Sequence, residues 1–87
     1  MRLSPVEFEA LRPLLRISGH RIEAARLAMV DGLTLQAVAD RYGWSRNSVY
    51  DAMRVVWQQH ERYLMAKKIE AEMLQAESTP APGDGQA

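Results

Sequence analysis

The stretch that decides the fold runs from Thr34 to Trp57: TLQAVADRYGWSRNSVYDAMRVVW. A helix-turn-helix needs two short helices crossing steeply through a turn of three or four residues that often holds Gly. Thr34 is placed to cap a helix over about 35–42, with Leu33 and Val38 in staple positions around that cap. Gly43 can take the left-handed backbone of a tight corner at no steric cost. Ser45 then caps the next helix after only Gly43-Trp44-Ser45. Ala39 is small enough for two helices to approach closely, and Val38, Tyr42, Trp44, Val49 and Ala52 read as the inward positions. The outward face of the second helix then holds Arg46, Asn47, Ser48, Tyr50, Asp51 and Arg54, side chains able to hydrogen-bond to base edges in a major groove.

Upstream, helix punctuation is dense. Ser4-Pro5-Val6-Glu7 has the pattern of a capping box with Pro at the first helical position, and Leu3 and Phe8 can close a hydrophobic staple over it. Pro13 should end this helix, predicted over about 5–12, because a ring there clashes with the preceding turn and removes a donor. Ser18 is the cap of a helix predicted from His20 to Val30, and Gly32 supplies the left-handed turn after it. Ile22, Ala25 and Met29 share one face, which Leu27, Ala28 and Val30 widen, as suits a helix contacted on several sides.

Downstream, no Gly or Pro interrupts Arg46 to Ser78. Val49, Ala52, Met53, Val56 and Trp57 form a helical stripe, and a second set follows beyond His60: Tyr63, Leu64, Ala66, Ile69, Met73 and Ala76. The expected reading is a further helix over 59–77, with a bend near 58–61. Residues 78–87, rich in Pro and Gly and carrying Asp84, read as a disordered acidic tail. The expectation is therefore an all-α protein, a small bundle of about five helices around a central helix-turn-helix. Its DNA-binding domain would cover 1–58. In so small a chain an apolar stripe on a terminal helix has little to pack against, so Tyr63, Leu64, Ile69 and Met73 are the candidate dimerisation residues.

Composition excludes several classes. The 87 residues contain no cysteine, which removes disulfides and thiolate metal sites. No apolar run approaches a membrane span and no apolar segment follows Met1, so the expectation is a soluble cytoplasmic protein without a signal peptide. The formal net charge of zero conceals two halves. Residues 1–68 hold all eleven Lys and Arg against seven acids, and 69–87 hold four acids and no base. A basic body with an acidic end still permits a directed contact with phosphate. His20 and His60 stand forty residues apart with no acidic or Cys ligand cluster around either, so no metal and no cofactor is expected. Asp40-Arg41 and Glu61-Arg62 read as solvated helix charges. No catalytic constellation and no small-molecule substrate is evident, and the chain reads as a non-enzyme.

Individual positions carry competing readings. Arg46 and Asn47, at the start of the second helix, would meet bases first, or else be ordinary solvated residues of a first turn. Ser45 can donate to phosphate, but its capping role needs no DNA. Asp51 can accept from a cytosine amino group or orient Arg54. Thr34 and Gln36, opening the first helix, are placed to hold a phosphate backbone. A helical adaptor module without DNA is the alternative to a DNA-binding protein, favoured by the neutral charge and the long apolar-striped terminal helix.

Ile22-Glu23-Ala24-Ala25-Arg26, Val30-Asp31-Gly32, Gly43-Trp44-Ser45-Arg46 with Val49, and Arg54-Val55-Val56-Trp57 together resemble the KorA/TrfB family of plasmid-encoded transcriptional repressors. The resemblance spans roughly residues 3 to 60 without gaps. Within the family, the chain's small size suggests the companion repressors of broad-host-range IncP plasmids. It implies a homodimer on a palindromic double-stranded DNA operator, repressing plasmid maintenance genes, with Arg46 and its neighbours reading that operator. Half-sites would then fall about 34 Å apart on successive major grooves. Family members commonly carry Gln where this chain has Asp51.

Overall fold

The computed structural model describes residues 1–78; of the expected tail at 78–87, Ser78 is helical and 79–87 lie outside the described residues. Four α-helices follow one another: α1 (Pro5–Leu11), α2 (Gly19–Met29), α3 (Leu35–Tyr42) and α4 (Arg46–Ser78), with a 3-10 turn at Arg12–Leu14 after α1. No strand occurs among the described residues.

Each start is set by the side chain before it. Ser4 Oγ accepts from the Glu7 N–H at 3.1 Å while the Ser4 N–H donates to Glu7 Oε1 at 2.8 Å, the reciprocal capping box. Ser18 Oγ accepts from the Arg21 N–H, so α2 opens at Gly19, one residue earlier than predicted. Thr34 Oγ1 accepts from the Ala37 N–H, and Ser45 Oγ accepts from the Ser48 N–H. Pro13 does end α1, but the chain tightens into the 3-10 turn rather than breaking.

Two corners require glycine. Gly32 has φ +80°, which lets the Leu33 N–H turn back onto the Leu27 carbonyl at 3.0 Å. Gly43 has φ +70° and ψ +30°, and both its own N–H and that of Trp44 donate to the Ala39 carbonyl, closing α3.

α2 lies at the centre, contacted on two sides. On one side Leu3, Phe8 and Leu11 meet Ile22, Ala25 and Met29, with Ala52 and Val56 of α4. On the other, Ala24 and Ala28 pack with Val38 and Ala39 of α3 and Val49 of α4. Met53 touches both clusters. Three alanines on α2 let its neighbours come close, and the Leu3 N–H donates to the Met29 carbonyl at 3.1 Å, clipping the N-terminal segment across the end of α2.

The expected fifth helix and the bend at 58–61 are absent: α4 is one helix of 33 residues that includes Ser78. What changes near that position is burial, not backbone. Among the described residues His60 is the last that is buried, and every residue from Glu61 to Glu77 is exposed. With no Gly or Pro and many good helix formers, nothing in the local sequence stops the helix where the core stops. The molecule is accordingly long, 68 × 20 × 18 Å.

Gly43→Ala should destabilise the chain by about 1–2 kcal/mol in urea unfolding, because a left-handed backbone is strained for a residue with a Cβ. The position has open space, so the loss is purely backbone. Gly19→Ala, also in open space but on ordinary helical backbone, should instead be stabilising by about 0.5–1 kcal/mol.

The capping box also sets an acid limb. The Glu7 carboxyl is held below its ordinary value near 4.5, first by the backbone N–H of Ser4 and then by its hydroxyl. Hydrogen bonding to Arg12 lowers Glu9 likewise. A carboxyl with a depressed folded-state value stabilises above its unfolded value, and this is lost as pH falls through the folded one. Urea midpoints should therefore decline with acidification below the ordinary carboxylate range, and Glu7→Gln should flatten that decline.

Candidate nucleic-acid interface

α3 and α4 meet through Gly43-Trp44-Ser45, and the start of α4 is fixed to the body from one side only. Val49, Ala52 and Val56 are fully buried, whereas Arg46, Asn47, Tyr50, Asp51 and Arg54 are exposed. Spacings of four along 46-50-54 and 47-51 place these five on one continuous outward face. Ser48, half-buried at its border, has its N–H bound to Ser45 Oγ at 3.2 Å and its hydroxyl 3.1 Å from the same atom.

The structure separates the remaining candidates by what already engages them. Asp51 and Arg54 form an ion pair one turn apart, with Asp51 Oδ1 4.0 Å from Arg54 Nη1. Both side chains are more than half exposed and the separation is beyond hydrogen-bond distance, so the pair is weak and leaves the guanidinium in water. Arg54 is thus near Asp51, as one of the two roles open to Asp51 in the sequence requires. Gln36 donates its amide to Asp40 Oδ1 at 2.7 Å along α3 and would have to release it to reach a phosphate. Thr34 spends an oxygen lone pair on its cap and keeps a hydroxyl proton to donate. Arg46 makes no ion pair among the described residues.

Of the five expected inward positions, Val38, Val49 and Ala52 are sealed, while Tyr42 and Trp44 are half-buried. Their rings stack at 4.7 Å between centroids, and the His20 ring meets Tyr42 edge-on at 6.3 Å. This chain of rings draws the start of α2 to the corner. An open notch results, lined by Ser18, His20, Arg21, Trp44 and Ser48. The first three were not candidates in the sequence, since they stand over twenty residues from Trp44 and no local pattern links them to it.

The match to known proteins fits this architecture. The chain matches the model of the KORA family, described as TrfB plasmid transcriptional repressor, over residues 3–77. The chain belongs to that family. A comparison with individually curated proteins found no match. The KORA family is one of transcriptional repressors rather than enzymes, which supports a repressor role for this member. No helix among the described residues is long and apolar enough to cross a membrane, and no group of three or more His, Asp or Glu there could hold a metal ion.

In this TrfB-family chain the candidate dimerisation residues fall on more than one face. Tyr63 and Leu64 border a groove with His60 and with Val6, Glu7 and Ala10 of α1. Ile69 and Met73 are exposed further out and one turn apart. At roughly 100° per residue, Leu64 lies about 140° round the helix from Ile69. His60, which the sequence reading left unassigned, is buried against Trp57 with ring centroids 5.0 Å apart.

Ser45→Ala should cost about 1 kcal/mol of stability in urea unfolding, because the Ser48 N–H loses its acceptor at the start of α4.

Proposed function

We propose that this chain is a sequence-specific transcriptional repressor that binds a palindromic operator as a homodimer and controls plasmid maintenance genes. Its helix-turn-helix is α3, the Gly43 corner and the first turns of α4. The observation that carries the reading is the outward row Arg46, Asn47, Tyr50, Asp51 and Arg54, left exposed by a corner that buries Val49 and Ala52. Membership of a repressor family supports it independently. Within that family we place the chain beside KorC, the small companion repressor of IncP plasmids, on the resemblance around Gly43-Trp44-Ser45-Arg46 and Arg54-Val55-Val56-Trp57.

Arg46 and Asn47 enter the major groove first, Ser48, Tyr50 and Arg54 reach bases or the adjacent phosphates, and Asp51 steers Arg54. Ser45 and Thr34 can each donate a hydroxyl proton to phosphate while capping their helices, and Gln36 joins them on release from Asp40. Residues 59–77, with Tyr63, Leu64, Ile69 and Met73, supply the dimer contact. A bound dimer represses by covering promoter elements and excluding polymerase from them. No cofactor enters this scheme.

The adaptor reading draws on the neutral net charge and on the exposed apolar residues along the projecting part of α4. Footprinting the purified chain on the DNA upstream of its own coding sequence separates the two. A symmetric protected site is the outcome expected of a dimeric repressor, and an adaptor protects nothing at any salt concentration. On the protected duplex, Arg46→Ala should weaken binding by about 1–3 kcal/mol if Arg46 holds a base edge in bidentate fashion. Unchanged affinity would remove Arg46 from the reading set.

A further inference from the structure

We infer that Arg21, on the first turn of α2, is a phosphate-contacting residue that widens the DNA footprint beyond α3 and α4. This rests on the repressor reading above and adds to it a helix outside the two-helix motif. Three observations converge on Arg21. It lines the notch beside Trp44 and Ser48, next to the turn of α4 that presents Arg46, and none of the five lining residues is acidic. It makes no ion pair among the described residues, unlike Arg12, Arg26 and Arg54.

Glu9, Glu23 and Asp31 are also gathered elsewhere. Arg12 holds Glu9 at 2.8 Å and Glu23 at 3.3 Å, and Arg26 approaches Glu9 at 3.7 Å and Asp31 at 3.4 Å. Glu23 follows Arg21 by two residues, roughly 200° round the helix, so this network occupies the opposite side of α2. One side of α2 is thereby occupied by paired charges. The other offers an uncompensated guanidinium level with the first turn of α4. A duplex lying against Arg46 and Asn47 has its flanking backbone within that region, and a guanidinium is suited to forked hydrogen bonds with phosphate oxygens. Such a contact carries no sequence information and acts on affinity and salt dependence alone.

The test uses the full chain and a fluorescein-labelled, random-sequence 24-base-pair duplex, titrated by anisotropy between 50 and 200 mM NaCl. Arg21→Gln should lower the slope of log K against log salt by about 0.9 and weaken binding roughly eightfold near 0.1 M, the release of one phosphate's counterions. Arg21→Lys should restore most of the slope, and Arg12→Gln, in the paired network, should leave it unchanged. A wild-type slope and affinity in Arg21→Gln would overturn the inference, as would an equal loss in Arg12→Gln, which would signal a mere net-charge effect. If the wild-type chain does not bind this duplex even at 50 mM, the inference fails, while the repressor reading stands or falls on the footprint of the upstream DNA.

Discussion

The left-handed backbone at Gly43 is the constraint on which the rest depends. It closes α3 on the Ala39 carbonyl and releases the chain in a new direction after three residues. Only with that change of direction can Val38 and Val49 be buried in one cluster while Arg46 and Asn47 stay in water. Burial of the apolar positions and exposure of the polar ones are two results of the same corner. The alanines at 24, 28 and 39 let the corner sit close against α2, so its position is set by packing on both sides rather than by the turn alone.

Much of this was legible in the sequence because the chain marks its helix ends with chemistry that acts locally. Ser4, Ser18, Thr34 and Ser45 each cap the helix that follows, and α3 spans the predicted residues. The family resemblance likewise rested on residues inside the region that the family match covers. What failed was the end of the core. A helix's backbone continues on local propensity, whereas burial depends on what else is near. No residue between Trp57 and Tyr63 records that the buried core ends at His60, so a predicted break became an unbroken helix. The notch at Ser18, His20 and Arg21 was hidden for the same reason, being assembled through rings at 20, 42 and 44.

Charge follows a similar division between local and assembled order. Seven acids and eleven bases in residues 1–68 suggest only a moderate positive excess. In the fold, Glu9, Glu23 and Asp31 are drawn together by Arg12 and Arg26, and Asp40 is hydrogen-bonded to Gln36. The acids of α2 and its C-terminal turn are thus engaged away from the start of α4, where Arg46 makes no ion pair among the described residues.

The continuity of α4 has a mechanical consequence. The turn that presents Arg46 and the outer stretch bearing Ile69 and Met73 are parts of one stiff shaft, with no hinge residue between them. Torsion or tilt imposed at the far end is delivered to the near end undamped. A body that gripped the outer stretch would thereby set the angle of attack of the inner one, and a single inserted residue between them would put the two ends out of phase.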